Sequence, residues 1–185
     1  MKFLALALAS LFFSGCTQTT AVSPLPSFGV IVVGQESFFD GNQTYSWHTK
    51  SDRAYVGDDE LGNKILTSYK KAIESEMARK GYRLVDGQSS GMKVAFGIAR
   101  ESELSDEALF SRTQLDTGIN SYGVDNKKAD EKGTIYIAFF QGQSNAAQWR
   151  VLAQGGYNPH INHDDLENHS AKLMAMLLSR VPQSR

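Results

Sequence analysis

Four groups of residues have types and spacings with which chemistry is done. His160, His163 and His169, beside Asp164 and Asp165, are the densest set of potential metal ligands. Two imidazoles and a carboxylate make a zinc or non-haem iron site when they converge. No HExxH-like pair fixes two of these imidazoles on one helical face, and His160 and His163 fall in a loop. The two aspartates already suit the amino end of the helix that follows. Gly87-Gln88-Ser89-Ser90-Gly91 fits the G-x-S-x-G pattern of a nucleophile elbow, which works only between a strand and a helix. Here YRLV precedes it and MKVAF follows it, so the segment reads as a polar turn between two strands. Asp58, Asp59 and Glu60 offer adjacent carboxylates, and a solvated helix amino end accounts for them. Cys16 is the fourth case: it is the only cysteine, and it is a thiol, a nucleophile or a point of attachment.

The residues around Cys16 decide between these roles. Lys2 supplies a short positive start, and residues 3–13 are apolar except for Ser10. About eleven residues cannot cross a hydrocarbon core that needs roughly twenty, but they fit the apolar region of a secretory leader. Ser14 and Gly15 are small and directly precede Cys16, which resembles the lipobox of bacterial lipoproteins; Phe13 stands where Leu is commonest. The resemblance implies cleavage after residue 15, a diacylglycerol on the Cys16 sulfur, and a fatty acyl chain such as palmitate on its amine. Several chains on one residue exceed the weak hold of a single chain, since each buried CH₂ contributes ~0.8 kcal/mol. Thr17, where an Asp would imply retention in the inner membrane, implies the outer membrane, with the chain facing the periplasm. Residues 17–27 (TQTTAVSPLPS) are small, polar and proline-bearing and read as a flexible tether of at most ~36–40 Å.

Residues 28–182 must then supply the working domain. The chain has 185 residues, 41% hydrophobic and 21% charged, with a formal net charge of −1, which are the proportions of one globular domain. A near-neutral chain without a basic cluster lacks the footprint of a nucleic-acid binder. FGVIVV (28–33) reads as a buried strand and TYSWHT (44–49) as a half-buried one. FFDGN between them reads as a turn, and loop signals follow to Gly57. From Asp58, the apolar residues Leu61, Ile65, Tyr69, Ile73 and Met77 recur every four positions, with Leu66 and Ala72 widening the stripe, and Gly81 ends this helix. YRLV (82–85) and MKVAFGIA (92–99) read as strands. The second presents Met92, Val94, Phe96 and Ile98 on one face and Lys93, Ala95, Gly97 and Ala99 on the other, small enough for a helix to approach.

Residues 101–132 are polar and long for a connection, with Ser105 placed to cap a short helix through Phe110. TIYIAFF (134–140) and QWRVLAQ (148–154) form a hairpin. Asn162 or Asp164 caps a last helix with Leu166, Leu173, Met174, Leu177 and Val181 inward. Trp47, Trp149, Tyr136 and Phe139 read as core aromatics. The order predicts an α+β fold: a mainly antiparallel sheet with two main helices packed on one face.

TYSW (44–47), ARKGYRLVD (78–86), MKVAF (92–96), ELSDEALFSR (103–112), GTIYIAFF (133–140) and WR (149–150), in this order, resemble a bacterial lipoprotein family known as domain of unknown function 4136. The hairpin loop GQSNAAQ departs from the family's usual Asp/Thr-Gly turn. The resemblance spans roughly residues 28–182 and implies fold and location without a catalytic residue, cofactor or metal. The expectation is a non-enzymatic, outer-membrane-anchored binding or envelope-assembly protein, lipidated at Cys16, whose partner is an envelope protein or the cell wall. Segment 101–132 is its expected contact surface. The alternative is an envelope hydrolase or metal-dependent enzyme using His160, His163 and His169.

Overall fold

The computed structural model describes residues 28–49, 51–87, 90–119, 131–157 and 161–185. Cys16, the leader and the tether lie outside the described residues. Among the described residues seven strands form one sheet: β1 (Gly29–Gly34), β2 (Thr44–Trp47), β3 (Arg53–Tyr55), β4 (Arg83–Leu84), β5 (Met92–Arg100), β6 (Glu131–Gln141) and β7 (Ala147–Tyr157). Three α-helices accompany it: α1 (Asp59–Arg79), α2 (Asp106–Thr113) and α3 (His163–Leu177). A 3₁₀ turn at Glu36–Phe39 links β1 to β2.

The sheet is mixed, which overturns the mainly antiparallel expectation. Its order is β1-β7-β6-β5-β2-β4, with β3 also on β5. The pairs β1·β7, β7·β6 and β6·β5 are antiparallel, whereas β2·β4, β2·β5 and β3·β5 are parallel. The cause is α1. Its 21 residues extend ~30 Å, so the chain is carried back along the sheet before β4 and β5 begin. Strands on either side of such a return run in the same direction. The sequence reading also missed β3, a three-residue strand inside the segment taken as loop. β2 pairs with Met92–Val94 and β3 with Gly97–Ala99, so the two lie end to end along one edge of β5.

Each helix begins and ends where the sequence supplies the means. The Asp58 carboxylate accepts from the Leu61 N–H at 2.9 Å, and Asn162 Oδ1 accepts from the Asp165 N–H at 2.8 Å. Ser105 caps α2 through the Ala108 N–H. Gly81, at φ +89°, takes the left-handed conformation past the end of α1 that a side chain would strain. Lys80 is buried there, and its ammonium donates to the Val181 carbonyl at 2.6 Å. Burial pushes the Lys80 pKa down, with Glu76 opposing.

The main core lies between α1, α3 and one face of the sheet. Ile65, Ile73 and Met77 of α1 and Leu166, Met174 and Leu177 of α3 meet Val94, Phe96, Ile98, Ile135, Ile137, Phe139, Trp149 and Val151. Phe39, Phe139 and Trp149 form a mutual edge-to-face trio with ring centroids 5.2–5.8 Å apart, an arrangement aromatic rings favour. The opposite face is covered only in part, by α2 and the chain after it. Leu109 and Leu115 pack there on Leu152, with Ile31, Leu104 and Tyr136 beside them.

A polar network holds α2 in place. Lys132 of β6 is 1% exposed. Its ammonium pairs with the Asp106 carboxylate of α2 and donates to the Ile119 carbonyl at 3.1 Å. The Gln154 amide donates to the other Asp106 oxygen at 2.9 Å and to the Thr134 hydroxyl at 3.2 Å, while the Thr117 hydroxyl bonds to Gln154 Oε1. A charge this deep is tolerated only when paired; because the Asp106 side chain is 40% exposed and Glu101 lies 3.9 Å from the same ammonium, losing Asp106 should cost less than the ~3–5 kcal/mol of a fully buried pair.

Two outcomes are expected from this packing. Asp106→Asn should lose about 1–2 kcal/mol of stability in urea unfolding, and Lys132→Met combined with Asp106→Ala should lose less; a single-variant loss below about 0.5 kcal/mol would deny the pair its role. Burial pushes the Tyr69 and Tyr82 hydroxyls up to about 12, and among the described residues the Tyr82 hydroxyl has no hydrogen-bond partner. Unfolded tyrosine ionises near 10, so the native state holds more protons than the unfolded state between about pH 10 and 12. Their stabilisation is complete below pH 10 and falls as pH rises through that window. Tyrosinate absorbance should therefore rise together with loss of the fold, and ionisation near pH 10 in a fully folded protein would contradict it.

Candidate functional site

The uncovered part of the outer sheet face is a groove of about 760 Å³. Ala95, Gly97 and Ala99, alternating along β5, line its floor. The sequence reading expected a helix over these small residues; α2 instead lies to one side and becomes a wall. β3 forms the other wall with Arg53 and Tyr55. Thr134 and Tyr136 of β6, Arg150 of β7, and Leu109, Arg112 and Thr113 of α2 complete it. At one end the His48 ring stacks on Phe140, with centroids 4.7 Å apart and planes at 29°.

Register explains why three arginines meet here. Arg53 pairs with Gly97 and Tyr55 with Ala99 across β3·β5, so both side chains share the outer face with those residues. Arg150 pairs with Ala138 and lies one row from Tyr136. Arg112 comes from α2, whose position Lys132 and Asp106 set. Its Nη1 donates to the Tyr55 hydroxyl at 2.7 Å, and its guanidinium carbon lies 5.2 Å from that ring's centroid. Arg150 Nη1 donates to the Thr113 carbonyl at 2.9 Å, and the same side chain bonds to Tyr136. Burial raises the Tyr136 pKa, and Arg150 partly offsets the shift.

Electrostatics make this face distinctive. Among the described residues no Asp or Glu lines the groove. Among the described residues none of Arg53, Arg112 and Arg150 is in an ion pair, whereas Arg79 and Arg100 each have a carboxylate partner. Guanidiniums stay charged at every physiological pH and present forked donors matched to carboxylate and phosphate. Arg112 and Arg150 each keep further donors beyond those named. The groove thus offers positive charge, ring faces and hydroxyl groups over a small-residue floor, which is the chemistry of binding.

The residues singled out from sequence fall elsewhere. His160 lies outside the described residues, and of the His163 side chain nothing is described, although that residue opens α3. His169 is exposed at a second cavity of about 410 Å³, lined mainly by apolar residues including Ile65, Tyr69, Leu166 and Leu173. Among the described residues no group of three or more His, Cys, Asp and Glu side chains is placed to hold a metal ion. In the G-x-S-x-G segment, Gln88 and Ser89 lie outside the described residues. The Ser90 and Ser46 hydroxyls are 2.7 Å apart, and Ser46 donates to the Gly87 carbonyl at 3.0 Å, so they fasten a turn between β4 and β5. Of the aromatics read as core, Trp149 and Phe139 are buried, Trp47 bonds through Nε1 to Glu74, and Tyr136 lines the groove.

Segment 101–132 does contribute to the groove through Leu104, Leu109, Arg112 and Thr113, while 120–130 lies outside the described residues. Sequence reasoning missed the arginines because Arg53, Arg112 and Arg150 are far apart in the chain and form no basic run. The available signal was the small face of β5, which a groove uses as readily as a helix does. Among the described residues no helix is long and apolar enough to cross a membrane.

Comparison with known proteins places the fold. A PDZ domain protein from Parabacteroides distasonis is similar at 14% identity with a TM-score of 0.50; the match covers 85% of this chain and 36% of that one. The PelC dodecamer from Paraburkholderia phytofirmans is similar at 12% identity with a TM-score of 0.48, covering 86% of this chain and 99% of that one. A DUF4136 family protein from Bacteroides thetaiotaomicron follows at 12% identity with a TM-score of 0.45, covering 85% and 98%. No curated protein sequence gives a significant match. The sequence profile described as "Domain of unknown function (DUF4136)" matches residues 33–183, which is most of the chain, and the chain belongs to that family.

Proposed function

We propose that this protein is a lipoprotein anchored through Cys16 to the outer membrane, with residues 28–182 in the periplasm, acting there as a non-enzymatic binding or envelope-assembly accessory protein. The observation that carries the binding role is the groove over β5, where three guanidiniums without carboxylate partners among the described residues surround a small-residue floor. Such a surface has charge and ring faces directed to recognition. The location is supported by the sequence alone. The positive start, the apolar run over 3–13, Ser14-Gly15 before Cys16 and the polar 17–27 segment fit a lipid anchor followed by a spacer. Acylation of Cys16 would also remove the chain's only thiol from any mechanism. On this reading the partner, whether an envelope protein or the cell wall, is met at the α2 side of the domain, within about a tether's length of the bilayer.

Two measurements test this. Metabolic labelling with a radioactive fatty acid should mark the wild-type chain and fail with Cys16→Ala; equal label in both would end the anchor reading. In-cell crosslinking from a photoreactive residue at Ser111, on the exposed surface of α2, followed by mass spectrometry, should capture an envelope component. Crosslinks to cytoplasmic proteins alone would exclude the proposed location and role together.

A further inference from the structure

We infer that the groove over β5 is a binding site for an acidic saccharide, a sugar ring bearing a carboxylate or a phosphate. The inference rests on the reading of the groove as a binding surface and specifies its ligand chemistry. Three features of the lining lead to it. Arg53, Arg112 and Arg150 reach the groove from three different elements, and among the described residues no carboxylate lines it. Among the described residues none of the three is neutralised, so the site carries an uncompensated positive charge for which an oxyanion is the complement.

The second feature is shape. Ala95, Gly97 and Ala99 leave a flat strip of strand without protruding side chains. A ring can lie against such a strip, and Tyr55 and Tyr136 stand on opposite sides of it, Tyr136 directly across the β5·β6 ladder from Gly97. A volume of about 760 Å³ lies within the usual range for small-molecule sites.

The third feature is the rest of the polar lining. The buried Thr113 hydroxyl is taken up by Leu109 and Leu115, and what remains includes the Tyr55, Tyr136 and Thr134 hydroxyls, the Asn145 amide and the His48 imidazole. These are groups that both donate and accept, as sugar hydroxyls require. An acidic peptide would use the guanidiniums but would have less use for a flat floor and a row of hydroxyls. A nucleic acid would require a basic surface extending well beyond one groove, and the net charge of −1 does not supply it.

The test is calorimetric titration of the full-length chain in detergent micelles with trigalacturonate, glucose 1-phosphate and neutral maltotriose. Binding of trigalacturonate or glucose 1-phosphate, with maltotriose at least tenfold weaker, is expected; which acid binds more tightly identifies carboxylate or phosphate as the preferred group. Arg53→Gln should weaken that binding about tenfold, since one charge-assisted pair is lost. This variant is chosen because the Arg53 side chain takes part in none of the ion pairs or hydrogen bonds seen among the described residues. Gly97→Val keeps every charge and fills the floor. A Cβ at Gly97 first meets the Arg53 carbonyl at 3.4 Å, an ordinary contact, so the fold should persist while binding falls at least tenfold. Far-ultraviolet circular dichroism verifies folding of both variants. Equal binding of maltotriose, failure of both acids to bind, or full binding by folded Arg53→Gln and Gly97→Val would overturn the inference. Binding of an acidic peptide such as triglutamate with no saccharide bound would overturn it in favour of a protein ligand. In any of these cases, envelope crosslinks from Ser111 that persist would show that the binding role stands and only the ligand class was wrong.

Discussion

The placement of α2 depends on one buried charge. Lys132 is buried in a sheet face, and Asp106, with Glu101 at 3.9 Å, makes its charge tolerable. An apolar pair of similar volume would serve stability as well or better, so stability alone does not explain the choice. A charge pair does something an oily contact does not: it has one satisfactory geometry. Asp106 is the first residue of α2, and its second oxygen is held by Gln154. Ile119, in the segment after the helix, is held by the same lysine. Both ends of the 106–119 segment are thereby referred to β6. The short apolar contact of Leu109 and Leu115 with Leu152 closes it down.

From that placement the groove follows. α2 packs on Leu152 of β7 beside Tyr136 of β6, and among the described residues the small face of β5 forms a groove floor in which Ala95 and Ala99 are buried. Arg112 reaches across to Tyr55 on the far wall, and Thr113 receives Arg150 from below. The two walls therefore hold each other through side chains that also supply the groove's charge. The other sheet face is covered by α1 and α3, apart from the cavity of about 410 Å³ beside Ile65 and Leu166. There α1 and α3 lie side by side over a continuous apolar layer, and the aromatic trio of Phe39, Phe139 and Trp149 fills one end. The molecule divides its labour between a closed face that stabilises and a half-open face that presents chemistry.

The local features were readable in the residues themselves. The stripe from Leu61 to Met77, the caps at Asp58 and Ser105, the stop at Gly81 and the alternation of MKVAFGIA all act over a few residues, where pattern and conformation are directly linked. Strand direction was not readable in this way. Whether β2 and β5 run parallel depends on how far α1 carries the chain, and no residue of either strand records that. β3 escaped because RAY is too short to show a period and gains its place only by extending β2 along β5. The groove was half legible: Ala95, Gly97 and Ala99 announced a surface that something approaches. Arg53, Arg112 and Arg150 gave no sign, because register and helix placement assemble them from three elements. The histidines stood out for their density, yet density in sequence is not convergence in space.

Among the described residues β1 is an edge strand whose ladder partner is β7, through six antiparallel positions from Gly29↔Gln154 to Gly34↔Trp149. Any mechanical load entering from the amino-terminal side meets this ladder before it meets the rest of the domain. A pull along the strand axis loads all the rungs together in shear and is resisted by their sum. A pull sideways peels them in turn, beginning at Gly29, and each rung then resists alone. The direction in which the chain leaves residue 28 therefore sets how much tension the domain withstands while something is held over β5.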